Sequence, residues 1–201
     1  MRKVLIIGAT GTLGSAVRKT LLTETDDRLT LFSRSAKTIQ VSDAAREVTA
    51  AGDVMNDIDL SKVIEGQDAV FAALSGDLGT FAKKITRAME QSQVSRLVFI
   101  TSMGIYNEIP ESLGSGNLKD NPVLQPYRDA ADVIEATDLN YTIIRPGWFT
   151  NGPVDYEVTH KGEPFGGHDV SISSIADLVK RLVDDDQLYS RESIGVNTPV
   201  K

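Results

Sequence analysis

The sequence predicts an α/β protein built on a mostly parallel, doubly wound sheet with helices on both faces. Three observations carry this. Short, nearly all-apolar runs such as Val4-Leu-Ile-Ile7 and Leu97-Val-Phe-Ile100 read as strands covered on both sides. Between the strands, apolar residues recur every three or four positions, as on a helix with one buried stripe. The two patterns also alternate along the chain, which is the order of a parallel sheet with crossover helices.

Taken in order, Val4–Ile7 is the first strand, and Leu13, Val17, Leu21 and Leu22 mark the helix after it. Leu29–Phe32 is a second strand and Glu47–Ala51 a third, ending at Gly52-Asp53. Leu60, Val63 and Ile64 suit a short helix that Gly66 stops. Ala69–Leu74 is a fourth strand, and Phe81, Ile85, Ala88 and Met89 outline the next helix. Arg96–Thr101 is the strongest strand signal, followed by a polar loop over roughly 104–122 and a helix over about 125–138. Tyr141–Ile144 is a strand ended by Pro146-Gly147, and 150–170 reads as loop. Ser173 or Ser174 caps a helix carrying Ile175, Leu178, Val179 and Leu182, with Asp177 in the capping-box position from Ser174. A last strand falls near Ser193–Val196. The expected strand order is 3-2-1-4-5-6, with a seventh strand at the edge.

Length and composition narrow the function. With 201 residues, 41% of them hydrophobic, and no repeat or linker, residues 1–201 read as one domain in which roughly 150–201 completes the substrate side. There is no cysteine, so a disulfide, a thiolate metal site and a thiol nucleophile are excluded. His160 and His168 stand at no metal-ligand spacing, and no metal is expected. The net charge of −7 disfavours nucleic acid and anionic membranes. No apolar run is long enough for a signal peptide or a membrane span, so a cytoplasmic protein with a small-molecule partner is expected, its oligomeric state open.

The chemistry begins at Gly8-Ala-Thr10-Gly11-Thr12-Leu13-Gly14. Gly8 permits a tight turn, Gly11 lets backbone approach a pyrophosphate, and Gly14 lets the helix pack closely on the strand. The N–H groups of the first helical turn then face the phosphates. The strand before and the helix after give the glycines the context of a Rossmann-type dinucleotide site. About twenty residues on, an acid would select NAD(H) by bonding its ribose hydroxyl. Here the second strand ends Ser33-Arg34-Ser35, a guanidinium flanked by hydroxyls, which suits the 2′-phosphate of NADP(H) instead.

Three segments taken together resemble the atypical short-chain dehydrogenase/reductases: the glycine loop, Gly52-Asp53-Val54, and Tyr141-Thr-Ile-Ile-Arg145-Pro146-Gly147. More narrowly, the chain is similar to the NAD(P)H-binding, NmrA-like group that includes flavin reductase/biliverdin reductase B. The resemblance implies that Asp53 and Val54 meet the adenine. It implies that Ala72, Ala73, Leu74 and Ser75 line the ribose and that Pro146-Gly147-Trp148 pass near the nicotinamide; Thr101, at the end of its strand, is a further cofactor-binding candidate. It also implies a Ser, a Tyr and a Lys for catalysis. Ser102 matches the serine. Aligned on Asp132, the helix puts Arg128 in place of the lysine and Leu124 in place of the tyrosine; in the other register Tyr127 is the tyrosine and Ala131 replaces the lysine. Neither supplies both residues, so Arg128 is left to hold a ribose or phosphate oxygen. Tyr106 is a further candidate for the pocket, and Trp148, Phe149 and Phe165 for an apolar wall.

Three readings follow. One is an NADPH-dependent reductase of a flavin-like, quinone-like or small carbonyl acceptor, for which solvent supplies the proton. Another is a non-catalytic NADP(H) sensor that binds a protein partner. The third, a sugar-nucleotide or isoflavone-type reductase or epimerase, is disfavoured by the short stretch after residue 150.

Overall fold

The structure, a computed structural model, describes residues 1–114 and 116–200. Its elements run β1 (Lys3–Ile7), α1 (Thr12–Glu24), β2 (Arg28–Ser33), β3 (Glu47–Ala51), α2 (Asp57–Ile64), β4 (Ala69–Ala72), α3 (Leu78–Gln91) and β5 (Arg96–Ile100). They continue α4 (Gln125–Glu135), β6 (Asn140–Pro146), β7 (Trp148–Thr150), β8 (Glu157–His160), β9 (Asp169–Ser171), α5 (Ile172–Asp184) and β10 (Glu192–Asn197). The main sheet has the order β3-β2-β1-β4-β5-β6-β10-β8, parallel throughout except for β8, which runs antiparallel to β10. This is the doubly wound order expected from the alternation of elements.

The all-apolar strands are explained by what they divide. Leu5 and Ile7 of β1 point into one core with Val70, Ala72, Leu97 and Phe99, covered by α2, α3 and α4. Val4 and Ile6 point into the other with Ala69, Phe71, Val98 and Ile100, covered by α1 and α5. Each such Val, Leu or Ile contributes about 1.5–3 kcal/mol by leaving water. Because β1 is followed to one side by β2 and to the other by β4, the loops at their carboxyl ends diverge and leave a crevice.

The far side of the sheet departs from expectation. The segment over 150–170 is not all loop: it holds β8 and β9, the latter pairing with β7 in a two-stranded sheet. The expected seventh strand, β10, is therefore not the edge, because β8 lies outside it. Glu157-Val-Thr-His160 has one apolar residue and no usable alternation, so only pairing with β10 makes it a strand. The cap of α5 is Ser171, whose Oγ accepts the Ser174 N–H at 3.0 Å; Ser174 itself is buried.

One buried cation braces the amino end of β5. Arg96 donates to the carbonyls of Leu182 (3.0 Å) and Leu188 (3.2 Å) and to Thr142 Oγ1 (3.0 Å). Burial pushes it down to about 10, against the pull of Asp186 and Asp185, so it stays charged at neutral pH.

Candidate active site

A cleft of about 690 Å³ opens at the carboxyl ends of the strands around the β1–β4 crevice. Its floor is the β1–α1 turn. Gly8 has φ +89, donates its N–H to Phe32 O at 3.0 Å, and leaves no room for a side chain: a Cβ there would stand 2.1 Å from Ala73 O. A Cβ on Gly14 would meet Gly8 O at 2.2 Å, so this glycine lets α1 lie on the turn. Gly11 differs, since a Cβ there would meet only Gly8 O, at 3.3 Å. Its space is open and belongs to the cleft.

The start of α1 has no side-chain cap and no acid in its first turn. Asn56, Asp77 and Ser171 cap α2, α3 and α5, and α4 grows out of a 3₁₀ turn at Pro122–Leu124. The bare N–H groups of Thr12, Leu13 and Gly14 are thus left for a ligand with negative charge.

The other strand ends close the cleft. Ser33, Arg34 and Ser35 line it at β2, where Ser33 Oγ is buried without a partner among the described residues and Ser35 Oγ donates to Thr10 Oγ1 at 3.2 Å. Arg34 is exposed and makes no hydrogen bond or ion pair among the described residues. At β3, Asp53 and Val54 line the wall; Asp53 Oδ1 accepts the Met55 N–H at 2.9 Å, so the residue both shapes its turn and faces the cleft. Ala73, Leu74 and Ser75 follow β4, and Thr101 follows β5, its N–H and hydroxyl both donated to Ile144 O (2.8 and 3.1 Å). An orphaned hydroxyl, a cradle that side chains would fill and an uncapped helix are together what a dinucleotide needs, and the residues present fit one.

Four of the candidate residues are not brought into this wall. Ser102, one residue past Thr101, turns away and donates to Met103 O at 3.1 Å. Arg128 is held outside by Asp132, at 2.7 Å, and by the carbonyl of Ile105. The helix explains this: one residue is about 100° of rotation, so with Tyr127 facing the cleft Arg128 cannot. Pro146 and Gly147 end β6 beyond the cleft, with Gly147 pressed against the backbone of His168. Of the aromatic candidates Phe149 lines the mouth, Trp148 is exposed, and Phe165 is buried against Gly195. Met55, Gly76 and Phe81 also line the wall, though nothing in the glycine or strand-end pattern marks them for it. The Asp77 cap directly after Gly76 is the one sequence signal that could have located that turn.

Tyr106 also points elsewhere. Its hydroxyl donates to Glu135 Oε1 at 2.8 Å, and Lys161, Arg128 and Arg145 surround its ring at 4.4, 4.9 and 5.2 Å. Burial, then Glu135, raises its pKa well above the ordinary phenol value despite Ser193 and Arg145. It is no proton donor for the cleft. Beside it, Arg145 forms a buried ion pair with Glu108, whose carboxylate also accepts the N–H groups of Gly104 (3.0 Å) and Tyr106 (2.9 Å). Among the described residues no group of three or more His, Asp or Glu could hold a metal, and no helix is long and apolar enough to cross a membrane.

Fold and cleft together define a Rossmann-type nucleotide-binding protein. The chain belongs to the NAD(P)H-binding family, whose model matches residues 8–186. It is 37% identical to a Rossmann-fold NAD(P)-binding family protein from Shigella flexneri, covering 99% of this chain and 94% of that one with a TM-score of 0.85. A short-chain dehydrogenase/reductase from Veillonella parvula, solved in complex with NADP, is 28% identical over 98% of this chain and 95% of its own, with a TM-score of 0.90. An oxidoreductase from Lactococcus lactis shares the fold at 22% identity, with a TM-score of 0.77 over 98% of this chain and 90% of that one. No match was found among curated proteins.

Proposed function

We propose that this protein is an NADPH-dependent reductase that passes hydride to a flavin-like, quinone-like or small carbonyl acceptor, within the NmrA-like group of atypical short-chain dehydrogenase/reductases. The observation that carries it is the end of β2. There the unpartnered Arg34 guanidinium and the orphaned Ser33 hydroxyl stand in the cleft wall where an NAD-selective protein would carry an acid. The NADP complex of the Veillonella relative supports the same cofactor.

NADPH, when bound, supplies the hydride. The chain's own residues do the rest: the N–H groups of Thr12 to Gly14 hold the pyrophosphate, Asp53 and Val54 the adenine, and Ala73 to Ser75 the ribose. Tyr127 and Phe149 also line the cleft, and a flat acceptor set against them is positioned and shielded from water. Among the described residues neither a lysine nor a histidine lines the cleft, so an acceptor that takes its proton from solvent fits best. In this reading the protein works in the cytoplasm on a small molecule, without nucleic acid or membrane.

A second reading, a non-catalytic NADP(H) sensor that binds a protein partner, is favoured by one observation. Ser102 and Arg128, which stand nearest to the family's catalytic pattern, spend their polar groups outside the cleft. NADPH oxidation with FMN, menadione and a panel of small carbonyls separates the two. Sustained turnover with a ring acceptor is expected. Tight NADPH binding with no turnover by any acceptor would replace the reductase with the sensor.

A further inference from the structure

We propose that the opposite end of the sheet carries a second small-molecule site, which takes a small oxyanion: a carboxylate or a phosphate. A cavity of about 390 Å³ lies there and shares no residue with the cofactor cleft. Tyr141 and Ser193, the second residues of β6 and β10, form its back, so it sits at the amino ends of strands whose carboxyl ends face the cofactor side. The proposal is independent of the reductase reading.

What the cavity has left to offer decides its ligand. Each of its carboxylates already has a partner. Both oxygens of Glu135 lie 2.7 Å from Lys161 Nζ, and one also accepts the Tyr106 hydroxyl. Glu192 Oε2 lies 2.7 Å from His160 Nδ1. Two donors are left largely unspent. Arg191 makes one side-chain hydrogen bond, to Leu139 O at 3.3 Å, and its nearest carboxylate is the fully exposed Asp138 at 3.9 Å. Ser193 is only 4% exposed, and its Oγ lies near the Tyr106 hydroxyl, which is already donated to Glu135, without making a well-formed hydrogen bond among the described residues. A buried hydroxyl without a partner destabilises the fold unless something pairs with it. A permanent guanidinium with most of its five N–H groups free, beside such a hydroxyl, suits an oxyanion that accepts from both.

The backbone holds the cation in place. Tyr189 and Arg191 adopt φ of +47 and +60, a region bulky residues rarely enter. The Arg191 N–H bonds Tyr141 O at 2.7 Å, and its guanidinium lies 5.6 Å from the Tyr141 ring centre. Beneath the floor Arg145 reaches Ser193 O at 3.3 Å, but Glu108 neutralises it. Lys161 is likewise paired, with Glu135, so Arg191, whose ion-pair partner among the described residues is the fully exposed Asp138 at 3.9 Å, is the most loosely held cation lining this site.

Residue-resolved NMR titrations test this, using succinate and inorganic phosphate separately, with chloride at matched ionic strength and the cofactor cleft saturated with NADP. Saturable shifts are expected at 160–161 and 191–193, with a Kd of about 1 mM or tighter. Binding of one probe alone assigns the source of the oxyanion. Arg191→Gln weakens binding about tenfold or more, and Ser193→Ala severalfold, while NADP affinity stays at the wild-type level. If Arg191→Gln does not fold, Arg191→Lys and Ser193→Ala carry the comparison. If NADP does not bind, phosphate in the glycine loop is told apart by shifts at 8–14. No saturable shift with either oxyanion, equal shifts with chloride, or wild-type affinity in the foldable variants would overturn the proposal.

Discussion

Gly11 and Gly14 are three residues apart in one loop, yet the structure separates their roles, and alanine at each exposes the difference. At Gly14 an added Cβ meets Gly8 O at 2.2 Å and Ala9 Cα at 2.9 Å, both backbone atoms that no side-chain rotation can relieve. Helix α1 has to back away from the turn, an overpacking cost of about 1–3 kcal/mol that the gain in helix propensity at this early position only partly offsets. For a domain of this size that lowers Tm by roughly 2–12 °C. At Gly11 the Cβ meets one atom at 3.3 Å and otherwise fills cleft space, with φ at −77, which alanine accepts. Gly11→Ala should therefore melt within about 2 °C of the wild type. It should still lose NADPH affinity by about tenfold to a hundredfold, since phosphate kept away from the helix start forfeits one charge-assisted hydrogen bond or more. Differential scanning fluorimetry and fluorescence titration read the two effects on the same samples. An unchanged Kd for Gly11→Ala would refute the placement of the pyrophosphate. An unchanged Tm for Gly14→Ala would refute the packing argument.

Three further outcomes are expected. Arg34→Ala weakens NADPH by about tenfold to somewhat over a hundredfold, nearer the lower figure at so exposed a site, and leaves NADH almost untouched; equal losses in parallel titrations would remove Arg34 as the discriminator. With the best acceptor, Ser102→Ala slows kcat by about one order of magnitude at most and Tyr127→Phe changes it little, both followed across the pH range. A fall of about a thousandfold in the tyrosine variant, with loss of the basic limb, would make Tyr127 the general acid. Glu108→Gln strands the buried Arg145 and weakens the bonds to the Gly104 and Tyr106 N–H groups, costing about 3–5 kcal/mol by urea denaturation; a loss under about 1 kcal/mol would mean water reaches that pair.

The fold and the phosphate loop were legible because their signals are local. An all-apolar pentapeptide such as that of β5 has few alternatives to a strand covered on both faces. Gly8 and Gly14 sit at spacings where only hydrogen fits between backbones. The run Ser33-Arg34-Ser35 could be placed for the same reason, by counting residues past a recognisable loop. Direction within the site was another matter. Ser102, Arg128 and Tyr106 are polar residues near the right strand and helix, but one residue of helix rotation turns Arg128 out while Tyr127 faces in. Tyr106 follows the pull of Glu135 and three cations drawn from α4, β6 and the loop after β8. Nor does anything local to Glu157-Val-Thr-His160 mark a strand, since its hydrogen bonds come from β10, more than thirty residues away in the chain. The sequence by itself thus determined the class of fold, the glycine loop and the residues at the end of β2 that line the cleft, because neighbouring positions encode them. Only the tertiary structure decided which side chains face the cleft and which collect at the far end, because those orientations depend on partners that the chain brings together from a distance.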